Sequence, residues 1–148
     1  MTEFESKLNN LIEILISKRD LLLLILNITE NQETLLTSES DLGEFFYEMN
    51  DIKQTNINKI IELDVNFNKV FLEIPDFEEK SKGHLDKIKE MQDLIKEVTS
   101  LDNSIRDLEE NNKKFSHKIP KIDTLPQKRR IAIAKDLLNK YKKSQEEI

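Results

Sequence analysis

The residues of this 148-residue chain that could carry out chemistry do not show the spacing of a known catalytic motif. Composition leaves open Ser-His-Asp and paired-carboxylate sites, which assemble from distant positions, but no segment is typical of a strained nucleophile turn. The chain has no cysteine, so it has no thiol nucleophile, no disulfide and no cysteine-based metal site. His84 and His117 each lack a glutamate three residues earlier, which excludes the helical Glu-x-x-His metal pattern. The only glycines, Gly43 and Gly83, are too far apart for a phosphate-binding loop. We therefore predict a protein that is not an enzyme, with no catalytic residue, metal or cofactor and with both histidines on the surface.

Charge divides the chain into two parts. Residues 113–143 contain eleven basic and two acidic residues, a net charge of +9, whereas residues 1–112 have a net charge of −13. The basic segment could lie on the acidic helices by salt-sensitive attraction, recruit a protein partner or bind nucleic acid. Nucleic acid is the least favoured of the three, because the whole chain is acidic and only Phe115 and Tyr141 could stack on bases near the cations. We predict no nucleic-acid partner.

Helix starts are marked by four pairs of a capping residue and an acid or amide three positions later. In such a pair the first side chain accepts a hydrogen bond from an N–H of the first helical turn. The four pairs are Thr2 with Glu5, Ser38 with Asp41, Asp76 with Glu79, and Thr124 with Gln127.

The helices that follow these starts differ in length. The first ends before a polar connection at residues 31–37, and the second runs from about residue 39 to residue 74, where Pro75 ends it. The third begins either at Asp76 or after Gly83, and the last covers about residues 125–143.

Apolar residues recur at alternating steps of three and four, which is typical of a coiled-coil seam. One seam lies on the first helix and a second begins at Met91, while the second helix carries a broad apolar stripe that is interrupted at residues 54–56. This interruption is either a solvated stretch or a device that fixes helix register. The seam on the first helix is Phe4, Leu8, Leu11, Leu15, Lys18, Leu22 and Ile25; the seam on the third is Met91, Leu94, Val98, Leu101, Ile105, Leu108, Asn112 and Phe115.

These patterns predict an all-α fold, an elongated antiparallel bundle of three long helices plus a shorter basic C-terminal helix, with coiled-coil-type packing. Residues 1–118 would form the helical body. Residues 119–126 form a linker bounded by Pro120 and Pro126, and residues 127–148 form the basic amphipathic helix.

The most apolar stretch, residues 21–26, is far shorter than the about 20 residues of a membrane-spanning helix. We expect no stable membrane insertion. Glu3 and Glu5 argue against a secretory signal, and the absence of cysteine fits a cytoplasmic protein. The stretch is either core or a surface for a partner, with a candidate homodimer face at Leu21, Leu22, Leu24 and Ile25.

The second helix, ESDLGEFFYEMNDIKQTNINKIIELDVNFNKVF, resembles the central helix of FlgN-type flagellar export chaperones, a family close to the FliT class. The matching parts are an acidic start, the pair Lys53-Gln54, an isoleucine-rich turn and the dipeptide Leu63-Asp64 with Phe67 three residues on. About residues 3–145 can be laid on the family's pattern, and the chain length favours FlgN over FliT.

The resemblance implies a cytoplasmic chaperone that binds amphipathic ends of hook-associated proteins, the hook–filament junction subunits, and presents them to the flagellar type III export gate. Such ends can be covered by a helix-in-groove contact. By its amphipathic pattern alone, the partner-binding surface is assigned to the last helix, at Lys128, Arg129, Arg130, Ile131, Ala134, Lys135, Leu137, Leu138 and Tyr141. The alternatives are a coiled-coil structural or adaptor protein that self-assembles, and an acidic helical body with a nucleic-acid-binding basic tail.

Overall fold

The computed structural model describes residues 1–37, 43–115 and 117 of the chain. Within them lie four α-helices: α1 (Glu3–Thr37), α2 (Gly43–Leu72), α3 (Phe77–Ser81) and α4 (Leu85–Lys113). The described residues contain no β-strand, so the predicted all-α class is confirmed. The predicted linker at 119–126 and basic helix at 127–148 lie outside the described residues, as do the capping pairs that begin at Ser38 and Thr124.

Helix α1 begins as its capping pair predicts but ends later than expected. The Glu5 N–H donates to Thr2 Oγ1 at 3.1 Å, which satisfies one of the N–H groups that the first turn leaves without a partner. The predicted end near residue 30 is wrong, because α1 continues to Thr37. Gln32 and Leu36 face inward in this extension, with 1% and 0% of their surface exposed. Their burial explains why the polar stretch stays helical.

Between α2 and α4 the chain turns through a short helix. Helix α2 ends at Leu72, three residues before Pro75, as the proline predicts. The sequence left open whether the next helix starts at Asp76 or after Gly83; the structure has the five-residue α3 first and α4 from Leu85. Asp76 does not cap α3 with its side chain, so this predicted cap is wrong. Its backbone is left-handed instead, at φ 53° and ψ 43°.

The described residues divide into two compact units. Unit 1 is formed by Met1–Leu24 and Ile60–Asn103. Its core contains predicted seam residues of α1 and α4, together with residues from the last turns of α2 and from just beyond its end, so these seam residues are buried as predicted. The buried cluster is Phe4, Leu8, Leu11, Ile12, Leu15, Ile74, Met91 and Leu94, with Ile16, Phe67, Val70, Phe77 and Ile88 packed against it.

Unit 2 is formed by Ile25–Lys59 and the described residues from Ser104 onward. Its apolar cluster is small: Leu36 and Phe46 are buried, with Leu35 and Phe115 packed against them. Most other buried side chains of this unit are polar, namely Thr29, Gln32, Asp51, Lys53, Asn56 and Asn112. Unit 2 is therefore the part of the fold that departs from a simple apolar core.

Candidate functional site

The residues predicted to bind a partner cannot be placed in the structure. Lys128, Arg129, Arg130, Ile131, Ala134, Lys135, Leu137, Leu138 and Tyr141 all lie outside the described residues. The assignment of the binding surface to these nine residues stays a prediction. The described residues contain two other features with functional potential, both in unit 2.

The first feature is a cluster of six polar residues, four of them buried, which we call the polar layer. Each of three helices contributes two residues three positions apart, a spacing that places both on one helix face. These pairs are Thr29 and Gln32 on α1, Asn50 and Lys53 on α2, and Glu109 and Asn112 on α4.

Lys53 joins the three helices of the polar layer. Its side chain is 8% exposed, and its ammonium donates to Gln32 Oε1 at 2.7 Å and to Glu109 Oε1. The Gln32 amide donates in turn to Asn50 Oδ1 at 2.7 Å. A buried ammonium requires such partners, because a charge withdrawn from water without them is strongly destabilising.

The α1–α4 side of the polar layer is held by weaker contacts. Thr29 Oγ1 donates to the Ile25 carbonyl at 2.7 Å and lies 3.5 Å from Glu109 Oε1. The Asn112 amide donates to the Thr29 carbonyl at 3.4 Å. Among the described residues, Asn112 Oδ1 has no hydrogen-bond partner. The shortest hydrogen bonds between helices in the polar layer are thus those that involve Lys53 and its partner Gln32.

This geometry suits register control rather than catalysis. The Lys53 ammonium is occupied by two acceptors, and the Glu109 carboxylate, 41% exposed, faces that ammonium. A polar group at one core position favours the single alignment in which its partners meet it. The sequence marked this region through the polar interruption at residues 54–56, but it missed Lys53, whose partners are 21 and 56 residues away.

The second feature is an apolar surface on the same part of α2, which we call the α2 outer face. Phe45 and Ile52 are 66% and 43% exposed, although they are large apolar residues. Met49, between them at steps of four and three, is partly exposed. In the same helix Lys53 and Asn56 are each only 6% exposed. The apolar stripe of α2 is therefore divided in this segment. Phe46 is buried in the unit 2 cluster, whereas Phe45 and Ile52 face outward and the polar residues Lys53 and Asn56 face inward.

In unit 1, charged and aromatic contacts connect the helices. Lys18, the polar member of the α1 seam, forms an ion pair with Asp64 of α2 at 2.7 Å. The His84 ring lies 5.1 Å from the ring of Phe4, and its Nε2 lies 3.9 Å from a Glu5 carboxylate oxygen. His84 is thus a partly buried packing residue rather than an ordinary surface residue, whereas His117 is exposed.

The candidate homodimer face is only partly on the surface. Leu22 and Ile25 are each 3% exposed, whereas Leu24 is 43% exposed and Leu21 is partly exposed. Leu23, not among the predicted residues, is 45% exposed. A partner could reach Leu21 and Leu24 but not the two buried residues, so the homodimer prediction rests on fewer residues than the sequence suggested.

Among the described residues, no group of three or more acidic or histidine side chains is arranged to hold a metal ion. None of the helices in residues 1–37 and 43–115 has both the length and the hydropathy needed to cross a membrane.

Comparison with known proteins does not place the chain in a family. No protein-family model matches it, and neither the curated proteins nor the solved structures include a significant match.

Proposed function

We propose that this chain is a non-catalytic, cytoplasmic export chaperone of the FlgN type. It would bind amphipathic helical ends of hook–filament junction proteins and deliver them to the flagellar type III export gate. In this proposal α1, α2 and α4 pack as an antiparallel bundle of coiled-coil type. The partner is proposed from the resemblance of the α2 sequence to FlgN-type chaperones. The exposed apolar residues of the α2 outer face support the proposal that the chain binds a helix.

The observation that carries the proposal is the exposure of large apolar residues on the α2 outer face in unit 2. Phe45 and Ile52 are exposed while Lys53 and Asn56 are buried, which is the reverse of the arrangement that stabilises a helix in water. Departures of this kind tend to occur where function requires them. An apolar helix face held outward is a suitable docking surface for the apolar side of a partner helix.

The basic segment would contribute the second half of the binding surface. This segment, residues 113–143, includes Phe115, which packs beside Leu36 and Phe46 in unit 2. Its net charge of +9 would attract acidic flanks of a client helix, while Ile131, Leu138 and Tyr141 would cover apolar side chains. Electrostatic attraction of this kind mainly raises association rates and selects partners.

The proposal is tested with peptides from the terminal amphipathic segments of hook-associated proteins, titrated into the full-length chain by calorimetry. We expect Ile52→Asp to weaken binding about tenfold or more, because a buried isoleucine contributes about 1.5–3 kcal/mol. Leu138→Asp in the basic segment should have a similar effect. Ile95→Asp is the matched control, since Ile95 of α4 is 41% exposed against 43% for Ile52.

Two outcomes contradict the proposal. In the first, the wild-type chain binds none of these segments. In the second, Ile52→Asp and Leu138→Asp bind as tightly as Ile95→Asp does, which would place the binding surface elsewhere.

A further inference from the structure

Unit 1 contains a second exposed apolar surface on α2, which we call the α2 stripe. It consists of Ile61, Val65, Asn68 and Leu72, which follow one another at steps of four, three and four. The three apolar members are 56%, 62% and 82% exposed. Steps of four, three and four place the side chains in one narrow row along a helix, which is the spacing of a two-stranded coiled-coil seam. The opposite side of α2 already packs in the unit 1 core through Phe67 and Val70, and Ile74, just beyond the end of α2, is buried in the same core.

The charged residues beside the α2 stripe are complementary to the same residues on a second, antiparallel copy. Glu62 and Lys69 flank it on the same side, seven residues apart. Among the described residues neither side chain forms an ion pair. If a second copy of α2 lies antiparallel across the row, Glu62 of each copy comes opposite Lys69 of the other. Because a two-fold axis would relate the two copies, the pairing would contain two such Glu62–Lys69 pairs.

The antiparallel direction also gives the better apolar match. It places Ile61 opposite Leu72 of the second copy and Val65 opposite Asn68, close to the axis. A parallel pairing would instead bring Lys69 towards Asp64 of the second copy, but Asp64 is already bound by Lys18 of its own chain at 2.7 Å. A polar residue such as Asn68 within a seam selects register and number of strands at some cost in stability.

We propose that the α2 stripe is a self-association surface, at which two copies of this chain pair through antiparallel α2 helices. The surface is short, so the dimer is weak and exchanges rapidly with monomer. This pairing is independent of client binding and uses different residues from the candidate face at Leu21, Leu22, Leu24 and Ile25.

The test is sedimentation equilibrium of the full-length chain at concentrations up to about 200 μM, the range in which small interfaces are populated. We expect a monomer–dimer equilibrium for the wild type. Val65→Lys should weaken dimerisation at least about tenfold, because it removes a buried apolar side chain from each copy and adds a charge at the centre. Leu24→Lys, on the other candidate face, should leave the dimer constant unchanged.

A charge exchange tests the direction of pairing. Lys69→Glu alone should weaken the dimer, since it places like charges opposite each other. Glu62→Lys combined with Lys69→Glu should restore it, because only antiparallel pairing brings these two positions together. Circular dichroism of each variant checks that the helices remain folded.

Three results would overturn the proposal. In the first, the wild type stays monomeric over the whole concentration range. In the second, Leu24→Lys weakens the dimer and Val65→Lys does not. In the third, the double exchange fails to restore the dimerisation that Lys69→Glu weakens.

Discussion

Removing the Lys53 ammonium is the perturbation that tests the polar layer most sharply. In Lys53→Met the apolar part of the side chain is retained and only the charged, hydrogen-bonding end is lost. Gln32 Oε1 then loses its donor, the Lys53 ammonium at 2.7 Å. Because Gln32 is only 1% exposed, water cannot replace that donor. Glu109 loses its partner as well, but its carboxylate is 41% exposed and water can replace the lysine.

The expected loss of stability follows from the exposed fractions of Gln32 and Glu109. A buried acceptor left without a donor costs about 1–3 kcal/mol. The half-exposed Glu109 adds only about 0–1 kcal/mol, since water screens it. We therefore expect Lys53→Met to lower the free energy of unfolding by about 2 kcal/mol. Combining it with Gln32→Leu removes the stranded acceptor too, so the double variant should lie within about 1 kcal/mol of the wild type.

Urea unfolding followed by circular dichroism measures these differences, and hydrogen exchange locates them. The amides of unit 2 should lose protection in Lys53→Met while those of the unit 1 core retain it. Lys82→Met is the matched control, because Lys82 and its partner Glu79 are 70% and 77% exposed. Exposed pairs of this kind contribute about 0–1 kcal/mol.

If Lys53→Met unfolded at the same urea concentration as Lys82→Met, the buried ammonium would contribute no more stability than an exposed one, contrary to the expected loss. The role given to Lys53 would then be wrong. It would also be wrong if adding Gln32→Leu destabilised the chain further, since that would show that Gln32 has no dependence on the lysine.

Three smaller predictions concern the helix ends and the turns between helices. Thr2→Ala should destabilise the chain by about 1 kcal/mol and increase exchange of the first-turn amides of α1, because the Glu5 N–H loses its acceptor. Asp76→Gly should stabilise the chain by about 0.5–1 kcal/mol in thermal unfolding, since glycine adopts φ 53° without steric cost; Asp76→Val should do the opposite. Gly83→Ala should be tolerated, because the added methyl would meet only the Lys80 carbonyl at 3.8 Å, and a destabilisation above about 1 kcal/mol would contradict this.

The buried residues of α1 and α4 and the end of α2 could be predicted from the sequence, because apolar periodicity and proline are local signals. The seams of α1 and α4 alternate in steps of three and four, and their members in unit 1, such as Leu8, Leu11 and Leu94, are buried as expected. Pro75 marked the end of α2 because proline restricts the residue before it. These features depend on local sequence, so no knowledge of the partner helices was required.

Two of the failures depend on residues distant in sequence, and one depends on the geometry of a turn. A helical pattern assigns apolar residues to the interior, but the interior position of Lys53 is set by Gln32 and Glu109 on two other helices. The extension of α1 beyond residue 30 likewise rests on the burial of Gln32 and Leu36. The left-handed backbone of Asp76 reflects the turn into α3, which the capping pattern does not encode.

Native mass spectrometry after co-expression with hook–filament junction proteins would show whether this chain binds their helical ends. We expect a stable complex of one chain with one client, reduced when the client's amphipathic end is deleted. The opposite result is a chain found only with itself, as a rigid tetramer or larger assembly with no client bound, which would identify a structural coiled-coil protein instead.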